Sequence, residues 1–149
     1  MSQNLIIFGT EKTTGALFIY KKSPYVFHKA IPGSIIKGPI TCIKISHDEQ
    51  TIAFSNDSGQ VGFVTLKNNT FSKSSSVQLP DNASATCFCW HFDDKQVYVG
   101  DTGGSVSVIN LNFFIVSRES IDAVVAHLLI LFFSGTKSHE CYFKSNTYS

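Results

Sequence analysis

The chain has 149 residues, of which 43% are hydrophobic and 15% are charged, and its formal net charge is +1. This size and hydrophobic content are enough for one domain with a buried core. The near-neutral charge excludes the strong electrostatic field expected of a protein that binds nucleic acid or an anionic membrane. The first residues lack the basic start and apolar run of a signal peptide, so we expect a reducing, cytoplasmic setting.

The first elements along the chain are predicted to be three strands. Leu5–Gly9 and residues 16–21 are short apolar runs on either side of a turn that ends at Gly15. Residues 25–30 follow as an outer strand. Residues 31–38 form a linking loop, because this stretch contains one proline and two glycines.

The next segment predicts a complete four-stranded unit. Residues 40–46, 51–55 and 60–66 are strands by composition and alternation. The turn Asn56-Asp57-Ser58-Gly59 joins the second strand to the third, and Gly59 provides the positive φ that such hairpins require. Residues 71–79 are a weaker, serine-rich strand, and their polarity is typical of an outer edge.

Residues 85–111 repeat residues 40–66 with an offset of 45 and no gap. The identical pairs are Thr41/Thr86, Cys42/Cys87, Asp48/Asp93, Gly59/Gly104, Val61/Val106 and Leu66/Leu111. A period of about 40–45 residues is that of one four-stranded propeller blade. The sequence therefore predicts an all-β, incomplete propeller of about two and a half blades.

The repeat pattern is predicted to end at residue 112. Residues 113–149 are expected to be an unrelated tail, with an apolar segment at 121–133 and a disordered end at 134–149. The apolar segment is shorter than the ~20 residues that span a bilayer. Its composition permits a helix or a strand, and we favour the helix. Because a propeller ring needs four to eight blades, we interpret the chain as a truncated or alternatively spliced product.

The order of these elements resembles the WD40 repeat. Each copy has a strand, a polar turn with an aspartate (Asp48 or Asp93), a second strand, a turn that ends in glycine and a third strand. The Trp-Asp pair that names the family is absent, and its positions hold Val64-Thr65 and Ile109-Asn110. The Gly-His pair that opens a repeat is also missing. The resemblance therefore implies divergent blades without the hydrogen-bond network built on that histidine and tryptophan.

A narrower resemblance rests on Cys87-Phe88-Cys89-Trp90 and on the run from Val97 to Val106. These residues look like the N-terminal propeller of the Hermansky–Pudlak syndrome protein 5 family, and about residues 5–112 share the likeness. Tectonin-repeat proteins of the autophagy pathway carry a similar propeller. Members of the first family are large cytosolic subunits of the complex named BLOC-2, which directs transport carriers to lysosome-related organelles. The resemblance implies a trafficking scaffold without enzymatic activity.

A zinc site is one chemical alternative. Cys87, Cys89 and His91 are spaced two residues apart, so on a strand they share one face. A zinc site would need a fourth ligand, which could come from the neighbouring blade, for example His47 or Cys42. This spacing is poor for a tetrahedral site. We interpret the cysteines as small apolar fillers between blades and expect no metal or other cofactor.

Catalysis is not predicted either. The histidines are scattered, and no serine or cysteine carries a nucleophile signature. Asp48 and Asp93 occupy equivalent turns, where we expect their carboxylates to accept hydrogen bonds from local backbone N–H groups. Trp90 is expected to lie in the core.

The resemblance implies a non-catalytic scaffold that binds other protein subunits of a trafficking complex. The near-neutral charge predicts no nucleic-acid partner and at most peripheral membrane contact. Loops displayed on a rigid scaffold commonly carry binding. The candidate contact residues lie in the hairpins between second and third strands and in the first linking loop: Asn56, Asp57, Asp101, Thr102, Pro32 and Lys37.

Two alternatives remain open. One is a propeller that binds phosphoinositides or a membrane surface through Lys21, Lys22, Lys29 and Lys37, although such a cluster is also typical of a solvated strand edge. The other is a product with no independent function, which self-associates through open blade edges.

Overall fold

The structure is a computed structural model, and it describes residues 4–11, 15–33, 35–67, 70–113 and 115–119. In these residues, strands alternate with short turns, and the one helical element is a single 3₁₀ turn at Pro80–Asn82. The strands are β1 Leu5–Gly9, β2 Leu17–Lys22, β3 Tyr25–Ile31, β4 Ile40–Ile45, β5 Thr51–Asn56, β6 Gln60–Lys67, β7 Thr70–Gln78, β8 Ala85–Trp90, β9 Gln96–Asp101, β10 Val106–Asn110 and β11 Ile115–Glu119. The predicted all-β class is confirmed.

The strands form three antiparallel sheets, each made of consecutive strands. Sheet 1 contains β1 to β3, sheet 2 contains β4 to β7, and sheet 3 contains β8 to β11. The first strands of sheets 2 and 3, β4 and β8, lie beside each other, and β1 lies beside β4. The sheets therefore follow one another like neighbouring blades, with β3, β7 and β11 at their outer edges.

The repeat seen in the sequence recurs in the strand pairing. Ile43 pairs with Phe54 in sheet 2, and Phe88 pairs with Val99 in sheet 3, so both partners are shifted by the same 45 residues. An irregularity in register also recurs at equivalent places, between Ile40 and Cys42 and between Ala85 and Cys87. The prediction that the two stretches form matching antiparallel strands is confirmed.

Two apolar clusters hold the sheets together. Between sheets 1 and 2, the buried side chains are Leu17, Ile19, Ile31, Ile36, Ile52, Phe54 and Val64. Between sheets 2 and 3, they are Ala53, Val61, Phe63, Leu79, Ala85, Phe88, Trp90, Val97, Val99 and Ile109. Because neighbours on a strand point to opposite faces, Ile52 enters one cluster and Ala53 the other. Both faces of sheet 2 are thus buried.

Trp90 lies in the second cluster, as predicted. Its ring nitrogen Nε1 donates a hydrogen bond to the Lys44 carbonyl of sheet 2 at 3.4 Å. The largest aromatic side chain of sheet 3 therefore joins two sheets by apolar contact and by a polar bond at its edge.

Sheet 3 extends beyond the boundary predicted at residue 112. β11 pairs with β10, with Ser117 opposite Val108. Val116 packs against the cluster between sheets 2 and 3, whereas Ile115 is exposed on the other face. We expected the apolar residues after position 112 to interrupt the repeat of strands. Instead they begin the outer strand β11, and one face of this strand is covered by the cluster between sheets 2 and 3. Residues 121–133 and 134–149 lie outside the described residues, and the division into two domains remains a prediction.

Gly62 on β6 makes room for a large core side chain. A Cβ atom at this position would lie 2.7 Å from Cζ of Phe54, which fills the space between sheets 1 and 2. Even one added methyl group would therefore displace the buried ring.

We expect Gly62→Ala to lower the free energy of unfolding by about 1–2 kcal/mol, after allowing for the ~0.4–1 kcal/mol that alanine gains by restricting the unfolded chain. Urea unfolding measures this change. The control is Ser76→Ala, an exposed position directly opposite Gly62, for which a change within about 0.5 kcal/mol is expected. Equal stabilities of the two variants would contradict the packing role of Gly62.

Candidate interaction surface at the linking-loop end

Four loops lie beside the β1–β2 connection at one end of the three sheets, which we call the linking-loop end. They are two linking loops and two hairpin turns, at residues 32–39, 79–84, 57–59 and 102–105. Asn56 Nδ2 donates to the Lys37 carbonyl at 2.5 Å, and Ser84 Oγ donates to the Asn56 carbonyl at 3.4 Å. The Thr102 N–H donates to the Ser84 carbonyl at 2.9 Å. A chain of hydrogen bonds thus runs from the first linking loop to the second hairpin.

Asn56 organises the first hairpin. Its Oδ1 accepts hydrogen bonds from the N–H groups of Ser58 at 3.1 Å and Gln60 at 2.8 Å. Its Nδ2 donates to the Lys37 carbonyl and to Gln60 Oε1. The side chain is 0% exposed. Its amide therefore fixes the turn and ties it to the linking loop.

Asp101 occupies the equivalent position in sheet 3 and is 7% exposed. Its Oδ1 accepts hydrogen bonds from the N–H groups of Gly103 at 2.9 Å and Ser105 at 3.0 Å, as Asn56 does in sheet 2. Its Oδ2 is buried and has no hydrogen-bond partner among the described residues. The side chains of Asn56 and Asp101 accept the same pair of hydrogen bonds within their hairpins, but only the amide of Asn56 can also donate a hydrogen bond to a linking loop.

The turn glycines Gly59 and Gly104 have φ of 77° and 75°, which confirms the prediction for Gly59.

The six predicted contact residues fall into two groups. Asn56 and Asp101 are buried and hold their own loops, so their side chains do not face solvent. The exposed group consists of Pro32, Lys37, Asp57 and Thr102. All six lie on or beside the linking-loop end, and a contact of the exposed group with a partner remains a prediction.

Carboxylates join neighbouring sheets at the opposite end. Asp94, in the turn before β9, accepts hydrogen bonds from the His47 N–H at 2.9 Å, His47 Nδ1 at 2.8 Å and the Asp48 N–H at 2.9 Å. Glu49, at the equivalent position of sheet 2, accepts from the backbone N–H and side-chain Nδ2 of Asn4 at 3.3 and 3.0 Å. Each turn is therefore hydrogen-bonded to the preceding sheet.

The sequence did not predict that Glu49 and Asp94 bond to the preceding sheet. A signal was present, because both copies of the repeat place an acidic residue at this turn position. Both residues adopt positive φ, 57° for Glu49 and 55° for Asp94, a backbone conformation that residues other than glycine seldom adopt.

Asp48 and Asp93 act within their own turns, as predicted. Asp48 Oδ1 accepts from the Gln50 N–H at 2.9 Å, and Asp93 Oδ1 accepts from the Lys95 N–H at 3.0 Å. Asp93 also contacts His91 Nδ1 at 2.7 Å. Burial raises the pKa of Asp93, but the Lys95 N–H and the His91 ring outweigh burial and hold that pKa below its ordinary value.

The cysteines of the inner strands have apolar surroundings. Cys42 packs against the cluster between sheets 2 and 3, and Cys89 packs on the other face of sheet 3. The contact of Cys42 agrees with its interpretation as an apolar filler. Cys89 is joined in a disulfide, so the filler interpretation is wrong for this residue. Burial, and secondly the nearby Cys87 thiol, raises the pKa of Cys42 to about 11. Among the residues that the structure describes, no three His, Cys, Asp or Glu side chains are placed to hold a metal ion.

The predicted lysine cluster is divided between two places. Lys21 and Lys29 lie on sheet 1 near His28, where burial and then these two charges lower the pKa of His28. Lys22 follows Lys21 on β2, whereas Lys37 lies in the linking loop. No described residue belongs to a helix with the length and hydropathy required to cross a membrane. Binding of a membrane surface by these lysines remains a prediction.

Exchanging the two hairpin residues tests their roles. We expect Asn56→Asp to lower the free energy of unfolding by about 1–3 kcal/mol, because the Lys37 carbonyl loses its donor and a carboxylate becomes buried. We expect Asp101→Asn to leave stability unchanged or to raise it, because a buried carboxylate is removed while Oδ1 is kept. Thermal and urea unfolding give both values, and equal losses for the two variants would contradict this account.

The raised pKa of Cys42 predicts slow alkylation. At about pH 8 the thiolate fraction should be roughly 100-fold lower than in the unfolded chain, and the greater nucleophilicity of a more basic thiolate recovers roughly tenfold. We therefore expect iodoacetamide to modify Cys42 about tenfold more slowly in the folded protein than in denaturant. Peptide mass spectrometry measures both rates, and equal rates would refute the buried placement.

The chain is similar to proteins named "BLOC-2 complex member HPS5 homolog" in three insects. The identity is 32% over 132 residues for Anopheles gambiae, 30% over 149 for Aedes aegypti and 29% over 133 for Drosophila melanogaster. These matches cover 87–88% of this chain but only 15–17% of the relatives. They confirm the predicted resemblance to this family. No protein-family model matches the chain.

The matched part is longer than the predicted propeller. Since 87% of 149 residues is about 130, the match to the Anopheles protein includes residues beyond position 112. This agrees with the continuation of sheet 3 through β11.

Two solved structures share the fold. The β-propeller domain of Cps50 (Swd1) from Myceliophteria thermophila matches with a TM-score of 0.62 at 12% identity, over 83% of this chain and 39% of that chain. The C-terminal WD40 domain of Sif2 matches with a TM-score of 0.56 at 17% identity, over 80% of this chain and 32% of that chain. The predicted WD40-like propeller fold is confirmed, with three sheets among the described residues.

Proposed function

We propose that this chain, which is similar over most of its length to HPS5 homologues, is part of a non-catalytic scaffold that holds other protein subunits. We propose further that it acts in the cytoplasm, in a BLOC-2-type complex that serves vesicle traffic to lysosome-related organelles. The observation that carries this proposal is the identity of about 30% to relatives named as members of that complex. The chain spans about one sixth of their length.

The geometry of the linking-loop end supports a binding role. Pro32, Lys37, Asp57 and Thr102 are exposed there, while buried hydrogen bonds from Asn56 hold the backbone beneath them. Loops that are already ordered lose little conformational entropy when a partner binds. Lys37 and Asp57 carry opposite charges, so a partner surface of mixed charge fits this end better than a strongly acidic or basic one.

Several reactive side chains among the described residues have structural roles, which supports a function without catalysis. His47 and His91 pair with Asp94 and Asp93 in turns that fix the sheets. The carboxylate of Asp101 accepts hydrogen bonds from its own hairpin. These groups are therefore engaged in holding the fold.

Co-purification of the chain with BLOC-2 subunits from its source organism tests the proposal. We expect the combined variant Pro32→Ser, Lys37→Glu, Asp57→Lys and Thr102→Arg to lose at least tenfold in captured subunits, because the exposed group would clash with a complementary surface. The control changes two exposed residues of the opposite end, Phe92→Ser and Lys95→Glu, and should retain binding.

Both variants should melt like the unchanged chain, because all substituted side chains are exposed. Undiminished capture by the first variant, or an equal loss in the control, would contradict binding at the linking-loop end. No capture by the unchanged chain would contradict the proposed complex.

A further inference from the structure

Among the described residues, sheet 1 contains one strand fewer than its two neighbours. The Lys22 N–H donates to the Asn4 carbonyl at 2.9 Å, as the Leu66 N–H donates to the Gln50 carbonyl at 2.6 Å in sheet 2. Asn4 and Gln50 directly precede β1 and β5, so β1 is equivalent to the second strand of sheet 2. The described part of sheet 1 therefore has no equivalent of β4 and β8, the first strands of the other two sheets.

The edge of β1 that faces this place is open. The Thr10 N–H donates to the Ala16 carbonyl at 3.0 Å at one end of β1, and the Asn4 carbonyl accepts from Lys22 at the other end. Hydrogen-bonded and non-hydrogen-bonded pairs alternate along an antiparallel ladder. Ile7 lies midway between Asn4 and Thr10, an odd number of residues from each, so its N–H and C=O point away from β2. Among the described residues, no strand pairs with β1 on that side.

In sheet 2 the equivalent backbone groups are paired. Ala53 occupies the position of Ile7 and pairs with Lys44 of β4. The Ser46 N–H donates to the Thr51 carbonyl at 2.8 Å, and because Ala53 is the next residue but one along β5, its N–H and C=O also face β4. Both pairings recur 45 residues later in sheet 3. A strand edge with unpaired N–H and C=O groups is a template for the backbone of another chain.

Apolar side chains beside this open edge are incompletely covered. On β4, Ile43 and Ile45 are half-buried. On β8, the equivalent Phe88 and Trp90 are 5% and 4% exposed, because β4 and the rest of sheet 2 pack against them. No first strand of a preceding sheet lies beside β4 in the described part of the chain. An added strand on β1 would therefore cover Ile43 and Ile45 as β4 covers Phe88 and Trp90.

The first strands of sheets 2 and 3 show which sequence fits such an edge. Residues 42–45 and 87–90 both consist of a cysteine, a large apolar residue, a residue of variable type and a second large apolar residue. The first large residue of each set lies opposite the position equivalent to Phe8, and the second lies opposite the position equivalent to Ile6. The Phe8 side chain is 50% exposed. A segment with this pattern would thus bring an apolar side chain onto an exposed aromatic ring.

We propose that β1 binds an extended segment of a partner protein, which adds antiparallel to β1 as a fourth strand of sheet 1. The segment carries a small residue, a large apolar residue, any residue and a second large apolar residue. Backbone hydrogen bonds to Ile7 supply affinity, and contacts with Phe8 and Ile6 select the sequence. Every described strand already belongs to one of the three sheets, so the segment comes from a partner. This edge is separate from the exposed loop residues of the linking-loop end, and binding there does not depend on membership of a BLOC-2-type complex.

The first test uses a fluorescently labelled peptide with the sequence of residues 39–47, because this segment occupies the equivalent place on β5. The peptide carries Cys42→Ala to prevent oxidation. Anisotropy measured with the full chain should show saturable binding of one peptide per chain. Absence of binding at the highest soluble concentration of the chain would overturn the proposal. Occupation of the edge by residues 120–149 or by a second copy would give that same negative result.

The second test checks the register through the peptide backbone. In the proposed pairing the N–H of Lys44 in the peptide faces β1, and the N–H of Ile43 faces away from it. Methylation of the Lys44 nitrogen should weaken binding by about tenfold or more, because a hydrogen bond is lost and the methyl group meets β1. Methylation of the Ile43 nitrogen is the matched control, with an expected change within about twofold. Equal effects of the two methyl groups would overturn the proposal.

The third test locates the peptide on the chain. Ile7→Pro removes the N–H that faces the added segment and leaves the hydrogen bonds between β1 and β2 in place, since an edge strand tolerates proline on its open side. We expect this variant to bind the peptide about tenfold more weakly or worse. The control is the combined variant Pro32→Ser, Lys37→Glu, Asp57→Lys and Thr102→Arg, which should bind the peptide like the unchanged chain. Unchanged binding by Ile7→Pro, or an equal loss in the control, would overturn binding at β1.

Hydrogen exchange of the unchanged chain replaces the third test if the melting curve shows that Ile7→Pro is unfolded. Bound peptide should slow the exchange of backbone amides in β1. Protection confined to other strands would overturn the proposal.

Discussion

The structure depends on the packing of apolar sheet faces against each other. Sheet 2 shows the constraint most clearly, because adjacent residues on its central strand β5 supply two different clusters, one on each face of the sheet. A sheet of this kind is stable only while a neighbour covers each face, as in other repeat architectures, where contacts are made to adjacent units. The stability of each sheet therefore cannot be separated from that of the sheets beside it.

This packing also fixes the two ends of the assembly. Once the sheets are held side by side, their turns come within hydrogen-bond distance, and Asp94 and Glu49 bond to the preceding sheet at one end. At the other end, Asn56 and Ser84 connect the loops into one surface. A rigid surface with exposed side chains and a buried polar support is what a binding scaffold requires.

Among the described residues, no sheet covers the outer face of sheet 1. Repeat proteins commonly end in units whose outer face is polar, because an apolar terminal face is exposed to water. Sheet 1 instead presents the exposed rings of Phe8, Tyr25 and Phe27 around Tyr20. On the outer face of sheet 3, by contrast, Tyr98, Val106 and Val108 are buried.

The sequence by itself determined the strands, the hairpin glycine Gly59 and the shared register of sheets 2 and 3, because alternation and turn chemistry are local properties. It also placed Trp90 in the core. Only the tertiary structure decided that β11 completes sheet 3, that Asn56 and Asp101 are buried, and that Asp94 reaches His47. These features depend on which group of a neighbouring sheet lies within reach, and that distance is set by side-chain packing between segments far apart in the chain.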